Sequence, residues 1–305
     1  MELYIEKEFL DNFYLEFDES SASSSQKIVA TILKEYAEVE CFIDCEIESL
    51  AQLEFLKSEN SFFKAICDKS KSPLAVKSIK DHFFEKSKCE QTLIFTQNNQ
   101  DWFNEAERKG ALCFSYENYQ QRIGNIIKQC HFKIDLSEGF QGWEQTLQNI
   151  QELMPLNKII INDAYLLDKS EFYEKNVYLL IKAISKNKKT IKLFYTDILN
   201  KKLPFKTDII YNLLKEKYPT SDIKIIHNNV DNLNSHDRLL YSNHYIIDCA
   251  IGFNFNQQLT SNSQIIIETI FEKYTYNRLR NHLRKMDNHF QNLIADKRMN
   301  AYYPN

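Results

Sequence analysis

Gln91–Ser115 has the sequence QTLIFTQNNQDWFNEAERKGALCFS, and this stretch decides the fold class. Its first six residues, Gln91–Thr96, form an apolar run that is typical of a buried strand, and Ala111–Ser115 forms a second such run. Between them, Asp101–Lys109 has the composition of a helix. A strand, a helix and a strand in succession favour an α/β layer with a mainly parallel sheet.

The residues before this stretch follow the same alternation. Residues 2–5 predict a short strand, and the next dozen residues predict a helix. Ser24 or Ser25 is predicted to cap a second helix, because apolar residues recur on one face after them, at Ile28, Val29, Ile32, Leu33 and Tyr36. The alternation in Val39–Ile47 predicts another strand, and residues 49–86 predict mostly helical structure.

The second half repeats this alternation after a boundary. Gly139 and Gly142 stand among polar residues near 130–150, so we expect two α/β domains, at 1–135 and 150–305. Strands are predicted at Lys158–Asn162, Thr190–Thr196, Asp222–His227, Arg238–Tyr241 and Tyr245–Ile251. Helices are predicted around Val177–Ile184, at Thr207–Lys217 and as a tail from about residue 263.

Composition limits the classes of function. The net charge of −4 gives no overall attraction to nucleic acid, so such binding would need a local basic patch. Seven scattered cysteines without a secretory signal predict reduced thiols and a cytoplasmic protein. The apolar runs are shorter than the roughly 18 residues that cross a bilayer, so no membrane partner is expected.

A polar cluster, His236-Asp237-Arg238, interrupts the second half, and Gly252-Phe253-Asn254 follows the strand after it. The chain has five glycines, and a glycine used so sparingly marks an unusual backbone position or a close approach to a bound group. Upstream, Ile159–Tyr165 (IIINDAY) ends a predicted strand in an acid and an aromatic residue. These segments resemble the phospholipase D-like fold in its compact single-unit form, over about residues 155–270.

That resemblance implies phosphodiester chemistry by a histidine nucleophile. His236 corresponds to the nucleophile, and Arg238 stands where active members have the lysine that holds the phosphoryl oxygens. Asn243 stands where they have the aspartate that supports the histidine, so Asp237 and Asp163 are alternative supports. The resemblance implies a phosphate-binding set of Gly252, Asn254 and Asp163. Because such half-sites work in facing pairs, activity would require a homodimer.

The first half resembles a degenerate PIN-like nuclease domain. Members of that family gather acidic residues at the carboxyl edge of a sheet and bind a divalent metal that activates water. Glu6, Glu48 and Asp101 would form the corresponding Mg²⁺ or Mn²⁺ site, and Asn98 stands where a further acid is expected. The alternative is that these acids are ordinary solvent-facing side chains.

The C-terminal helical tail carries a basic face that could follow a phosphate backbone, with Arg278, Arg280, Arg284 and Lys285. The alternative is an ordinary solvated helix face. Taken together, these patterns predict a nucleic-acid-processing or nucleic-acid-binding protein of a prokaryotic defence type, whose catalytic form would be a phosphodiesterase or nuclease. The competing hypothesis is a catalytically inactive module that recruits a protein or a guide nucleic acid.

Overall fold

The computed structural model describes residues 1–69, 74–130, 133–135, 148–150, 152–162, 190–196, 207–228, 238–249, 264–295 and 300–302. The chain divides into two compact units. The first contains Met1–Lys128 with the short segments Leu153–Pro155 and Phe271–Lys273, and the remainder forms the second. The α/β class expected from the sequence is confirmed.

Five parallel strands form the sheet of the first unit within its described residues. They are β1 (Glu2–Ile5), β2 (Glu40–Ile43), β3 (Leu74–Ala75), β4 (Thr92–Thr96) and β5 (Ala111–Ser115). Their order is β3-β2-β1-β4-β5. β2 and β3 are added on one side of β1, and β4 and β5 are then added on its other side. The order therefore reverses between β1 and β4.

Helices cover both faces of this sheet, as an all-parallel sheet requires. They are α1 (Lys7–Glu16), α2 (Ser24–Glu35), α3 (Leu50–Glu59), α4 (Ser61–Lys69), α5 (Ile79–Lys86), α6 (Phe103–Arg108) and α7 (Tyr119–Cys130). Because strand side chains alternate, Tyr4 and Ile94 face the core formed with α5 and α6. On the other face, Phe9 of α1 packs 5.1 Å from the ring of Phe95.

The second unit contains a mixed sheet with the order β13-β9-β8-β7-β10-β11-β12-β6. Its described strands are β6 (Lys133–Asp135), β7 (Lys158–Asn162), β8 (Thr190–Thr196), β9 (Asp222–Asn228), β10 (Leu239–Tyr241), β11 (Tyr245–Cys249), β12 (Gln264–Thr269) and β13 (Asn300–Tyr302). Only the three strands β7, β8 and β9 are parallel to one another. Among the described residues of this unit, two helices accompany the sheet, α8 (Thr207–Lys217) and α9 (Lys273–Ala295).

Several local predictions differ from the structure. The cap of α2 is Ser23, one residue before the predicted serines, and Gln26 completes a capping box with it. β2 ends at Ile43 rather than continuing to Ile47. The tail is not helical from about residue 263, because three consecutive isoleucines form the strand β12 before α9 begins. β6 lies within the predicted first domain but pairs with β12 of the second sheet.

Candidate functional site

The carboxyl edge of the first sheet is the position where this type of fold would hold a ligand. In open α/β sheets, ligands bind outside the carboxyl ends of strands where the strand order reverses. Here that point lies between β1 and β4, and Glu6 and Gln97 directly follow these two strands. Asp44 directly follows the adjacent strand β2. The fold therefore brings Glu6 and Asp44 to one edge.

Glu6 is already hydrogen-bonded at this edge. Its carboxylate accepts from the backbone N–H of Gln97 at 2.6 Å and from Nε2 of Gln100 at 3.2 Å. Burial raises the pKa of Glu6, the hydrogen bond from Gln97 lowers it, and the negative charge of Asp44 raises it further. Glu6 thus ties β1 to the segment that follows β4.

Asp44 is a second half-buried carboxylate at this edge, and the sequence interpretation missed it. Its Oδ1 accepts from the backbone N–H of Lys7 at 2.6 Å, so it caps the first turn of α1. Burial raises the pKa of Asp44, and the hydrogen bond from Lys7 lowers it. The signal was present, since Asp44 follows β2 as Glu6 follows β1. The apparent alternation through Ile47 placed it inside a strand instead.

The predicted metal ligands do not gather. Asp101 is 90% exposed, with its Oδ1 at 4.0 Å from Nζ of Lys80, and Glu48 is also exposed. In the part of the chain that the structure describes, which includes all three predicted ligands, no group of three Asp, Glu, His or Cys side chains could hold a metal ion. The expected Mg²⁺ or Mn²⁺ site of Glu6, Glu48 and Asp101 is therefore not formed.

The electrostatics of the first unit also disfavour phosphate at this edge. Residues 1–59 contain fifteen acidic and four basic side chains, a net charge of −11, whereas the whole chain carries −4. Both Glu6 and Asp44 belong to this acidic segment. The first unit as a whole is also acidic, since Met1–Lys128 contains 23 acidic and 15 basic side chains, a net charge of −8. A negatively charged unit repels a polyanion and attracts a cationic ligand.

A groove lies on the same acidic part of the molecule. It has a volume of about 300 Å³, and one wall is a stripe of α1 spaced at helical intervals, Lys7, Asp11, Tyr14 and Leu15. The other wall comes from α3 and the start of α4, with Phe55, Leu56, Glu59, Asn60 and Phe63. Leu15 is 77% exposed and Phe55 is 61% exposed, although both are large and apolar.

The α3 helix is unusual because it buries none of its residues, although it contains three leucines and a phenylalanine. Local contacts account for its formation. Ser49 caps its start by accepting from the backbone N–H of Gln52, and the side chain of Gln52 bonds back to the carbonyl of Glu46 and the N–H of Glu48. Leu53 and Leu56 of α3 are partly buried, whereas Leu50 and Phe55 are exposed.

Most of the predicted phosphodiesterase site lies outside the described residues, namely His236, Asp237, Gly252, Asn254 and Asp163. Of the other two, Arg238 is partly buried and directly precedes β10. β10 pairs with β7 in a register that places Leu239 opposite Asn162. In sequence, Arg238 directly precedes Leu239 and Asp163 directly follows Asn162.

Asn243 is buried, and its side chain has a structural role. Its Oδ1 accepts from the backbone N–H groups of Asn157 and Lys158 at 2.9 and 3.1 Å, and its Nδ2 donates to Oδ1 of Asn157 at 2.8 Å. These bonds pin the β10–β11 turn to the start of β7. Its predicted support of His236 stays a prediction.

The predicted nucleic-acid face of α9 is partly committed to its own unit. The guanidinium of Arg278 donates to Asp248 of β11 at 2.7 Å and to Glu268 of β12 at 3.0 Å. Arg280 lies over the ring of Tyr276, and exposed Arg284 donates to Asn281 at 3.3 Å. The side chain of Lys285 lies outside the described part. A phosphate would have to compete with two carboxylates for Arg278.

Comparison with protein-family models and with curated proteins finds no match for this chain. Among the described residues, no helix combines the length and apolar character needed to span a membrane. The functional assignment therefore depends on the contacts and charges of the two units themselves.

Proposed function

We propose that the protein is a recruiting module, whose first unit binds a protein partner and carries out no catalysis at its sheet edge. The observation that supports this most is the exposed apolar surface of α1 and α3. Large apolar residues exposed around a groove are typical of binding surfaces. The carboxylates that a metal-dependent nuclease would use are instead bonded to backbone and amide groups of their own unit.

A cleavage experiment tests the absence of catalysis. The purified protein is incubated with labelled single- and double-stranded RNA and DNA, with Mg²⁺, Mn²⁺ or a chelator. Glu6→Ala and His236→Ala are assayed beside the unsubstituted protein. We expect no cleavage in any reaction. Metal-dependent cleavage that disappears in Glu6→Ala would show that the first unit is a nuclease and would refute the proposal.

A phosphodiester-binding site in the second unit is a second candidate. The observation in its favour is the β7–β10 register, which brings Arg238 to the strand end that precedes Asp163. A basic excess supports it, since residues 129–305 contain 23 basic and 19 acidic side chains. Cleavage lost only in His236→Ala, together with a dimer in light scattering, is the outcome that this candidate requires. A strict monomer without cleavage refutes its catalytic form.

A further inference from the structure

We propose that the groove between α1 and α3 binds a basic amphipathic helix of a partner protein. The inference rests on the proposed function and names the chemistry of the partner. Its first support is the shape of the groove, because two helices bound it and apolar residues stand on both walls. Tyr14 and Leu15 stand on one wall and Phe55 on the other. A groove of this kind accepts the apolar face of a third helix.

The dimensions suit a short helix with one main anchor. The α1 wall runs from Lys7 to Leu15, which corresponds to about 12 Å along the helix axis at 1.5 Å per residue. Two to three turns of a partner helix match that length. The volume of about 300 Å³ is sufficient for one large side chain, with smaller apolar groups on either side. The anchor is therefore a leucine, phenylalanine or tryptophan on the apolar face of the partner.

The charges around the groove indicate which residues the partner would carry on its polar face. Within the groove, Lys7 is neutralised by its ion pair with Asp11, and Glu59 is exposed. The helices α1 and α3 and the segments that adjoin them in sequence carry exposed acids, at Glu8, Glu16, Asp18, Glu19, Glu46, Glu48 and Glu54. Of these, Glu54 is paired with Lys57. The remaining excess of negative charge favours lysine and arginine on the partner, both in affinity and in the rate of association.

The same charge argues against a second copy of this chain as the occupant. A symmetric dimer through this face would bring two segments with a net charge of −11 together, and juxtaposed like charges destabilise an interface. A nucleic acid meets the same repulsion. A basic helix satisfies both the apolar walls and the acidic rim.

The test uses the full-length protein and a defined peptide. The probe is a fluorescein-labelled helix of leucine and lysine, about 14 residues long, with leucines on one face. Fluorescence anisotropy is measured over a titration at low and high salt. We expect saturable binding that weakens with salt, because screening reduces the attraction to the acidic rim.

Matched variants locate the binding surface. Leu15→Ala and Phe55→Ala are expected to weaken binding about tenfold each, as anchors in a binding site do. Leu50→Ala is the control, since Leu50 is 81% exposed on the same helix but does not line the groove. Glu59→Lys is expected to weaken binding, whereas Glu105→Lys on α6 leaves it unchanged. Circular dichroism confirms that each variant is folded.

Four results would overturn the proposal. They are no saturable binding up to about 1 mM peptide, equal binding of a peptide with glutamate in place of lysine, equal weakening by Leu50→Ala, and a dimer that Leu15→Ala or Phe55→Ala dissociates. The proposed function fails separately, through metal-dependent cleavage that requires Glu6. A protein that neither cleaves nucleic acid nor binds the peptide would keep a recruiting role, but not through this groove.

Discussion

The two units handle charge in different ways. In the second unit, Arg278 neutralises carboxylates from two neighbouring strands, Asp248 and Glu268, and is only 23% exposed. In the first unit, the half-buried carboxylates of Glu6 and Asp44 accept hydrogen bonds from backbone N–H groups, and residues 1–59 have a net charge of −11. The first unit therefore keeps an excess of negative charge. In the second unit, Arg278 uses its positive charge to stabilise the fold of the unit itself.

This difference reverses the expectation from the sequence about which part meets a partner. Arg278 belongs to a basic stretch of α9, and that stretch predicted a nucleic-acid contact. Its guanidinium is instead occupied by carboxylates. The acidic first unit exposes apolar side chains beside its excess charge, and that combination is better suited to a basic protein helix.

In the second unit, the largest effect is expected at Asn243. Asn243→Ala should reduce the free energy of unfolding by about 2–3 kcal/mol, because two backbone N–H groups lose their acceptor. Asn243→Asp keeps an acceptor and should cost less. Urea denaturation measures both. If Asn243→Ala is as stable as the unsubstituted protein, the side chain does not hold the turn, and its predicted role beside His236 becomes the better explanation.

Arg278→Met should have the next largest effect. The change removes the cation between Asp248 and Glu268 and should cost about 1–2 kcal/mol, a value reduced from that of a fully buried pair by partial exposure. Arg284→Met on the exposed side of α9 is the control and should change stability by less than about 0.5 kcal/mol. Full stability in Arg278→Met, with loss of RNA binding, would instead assign Arg278 to a ligand.

Much of the first unit could be predicted from its sequence, because buried parallel strands are continuous apolar runs. Glu2–Ile5, Thr92–Thr96 and Ala111–Ser115 all appear as expected. β3 was missed because it has two residues, too few to give a pattern. β12 was missed because its isoleucine run leads into the helical stretch without a glycine or proline between the two. The sequence therefore looks like one continuous helix.

The candidate sites were less predictable, since side-chain roles depend on residues that are distant in sequence. Asp44 acts on Lys7, 37 residues away, and Asn243 acts on Asn157, 86 residues away. Local spacing cannot reveal such partners. The groove was missed for a different reason. The apolar and polar residues of α3 do not follow a one-face pattern, so its sequence does not indicate which leucines are buried. Only the packing of α1, α3 and α4 determines which of them are exposed.

A smaller effect, which depends on pH, is expected from the acidic edge. Burial raises the pKa values of Glu6 and Asp44 above their ordinary values of 4.5 and 3.8. The folded state therefore holds these protons more tightly than the unfolded chain does. The stability that they contribute at low pH is lost as pH rises through the folded-state pKa values. Each replacement, Glu6→Gln and Asp44→Asn, keeps an acceptor oxygen for its backbone partner.

The free energy of unfolding of the double variant Glu6→Gln/Asp44→Asn, relative to that of the unsubstituted protein, should therefore increase from about pH 4 to about pH 7. Urea denaturation at both pH values measures the difference, and Glu105→Gln serves as an exposed control. A double variant that is less stable at neutral pH would mean that the ionised carboxylates stabilise the edge. That result would contradict the expected destabilisation of the ionised carboxylates by burial. It would instead favour a cation bound at this edge.

The smallest effect is expected at Phe55, and it distinguishes a free surface from a packed one. Phe55→Gln should change the free energy of unfolding by less than about 0.5 kcal/mol, because α3 buries none of its residues. Phe62→Gln, seven residues later on α4, should cost about 3 kcal/mol or more, since Phe62 is 1% exposed and packs against Phe13. If Phe55→Gln is also strongly destabilising, its ring stabilises the isolated chain by packing, and the groove would not be free to receive a helix. An unchanged unfolding midpoint, with loss of peptide binding in the same variant, would show that the ring serves a partner and not the fold.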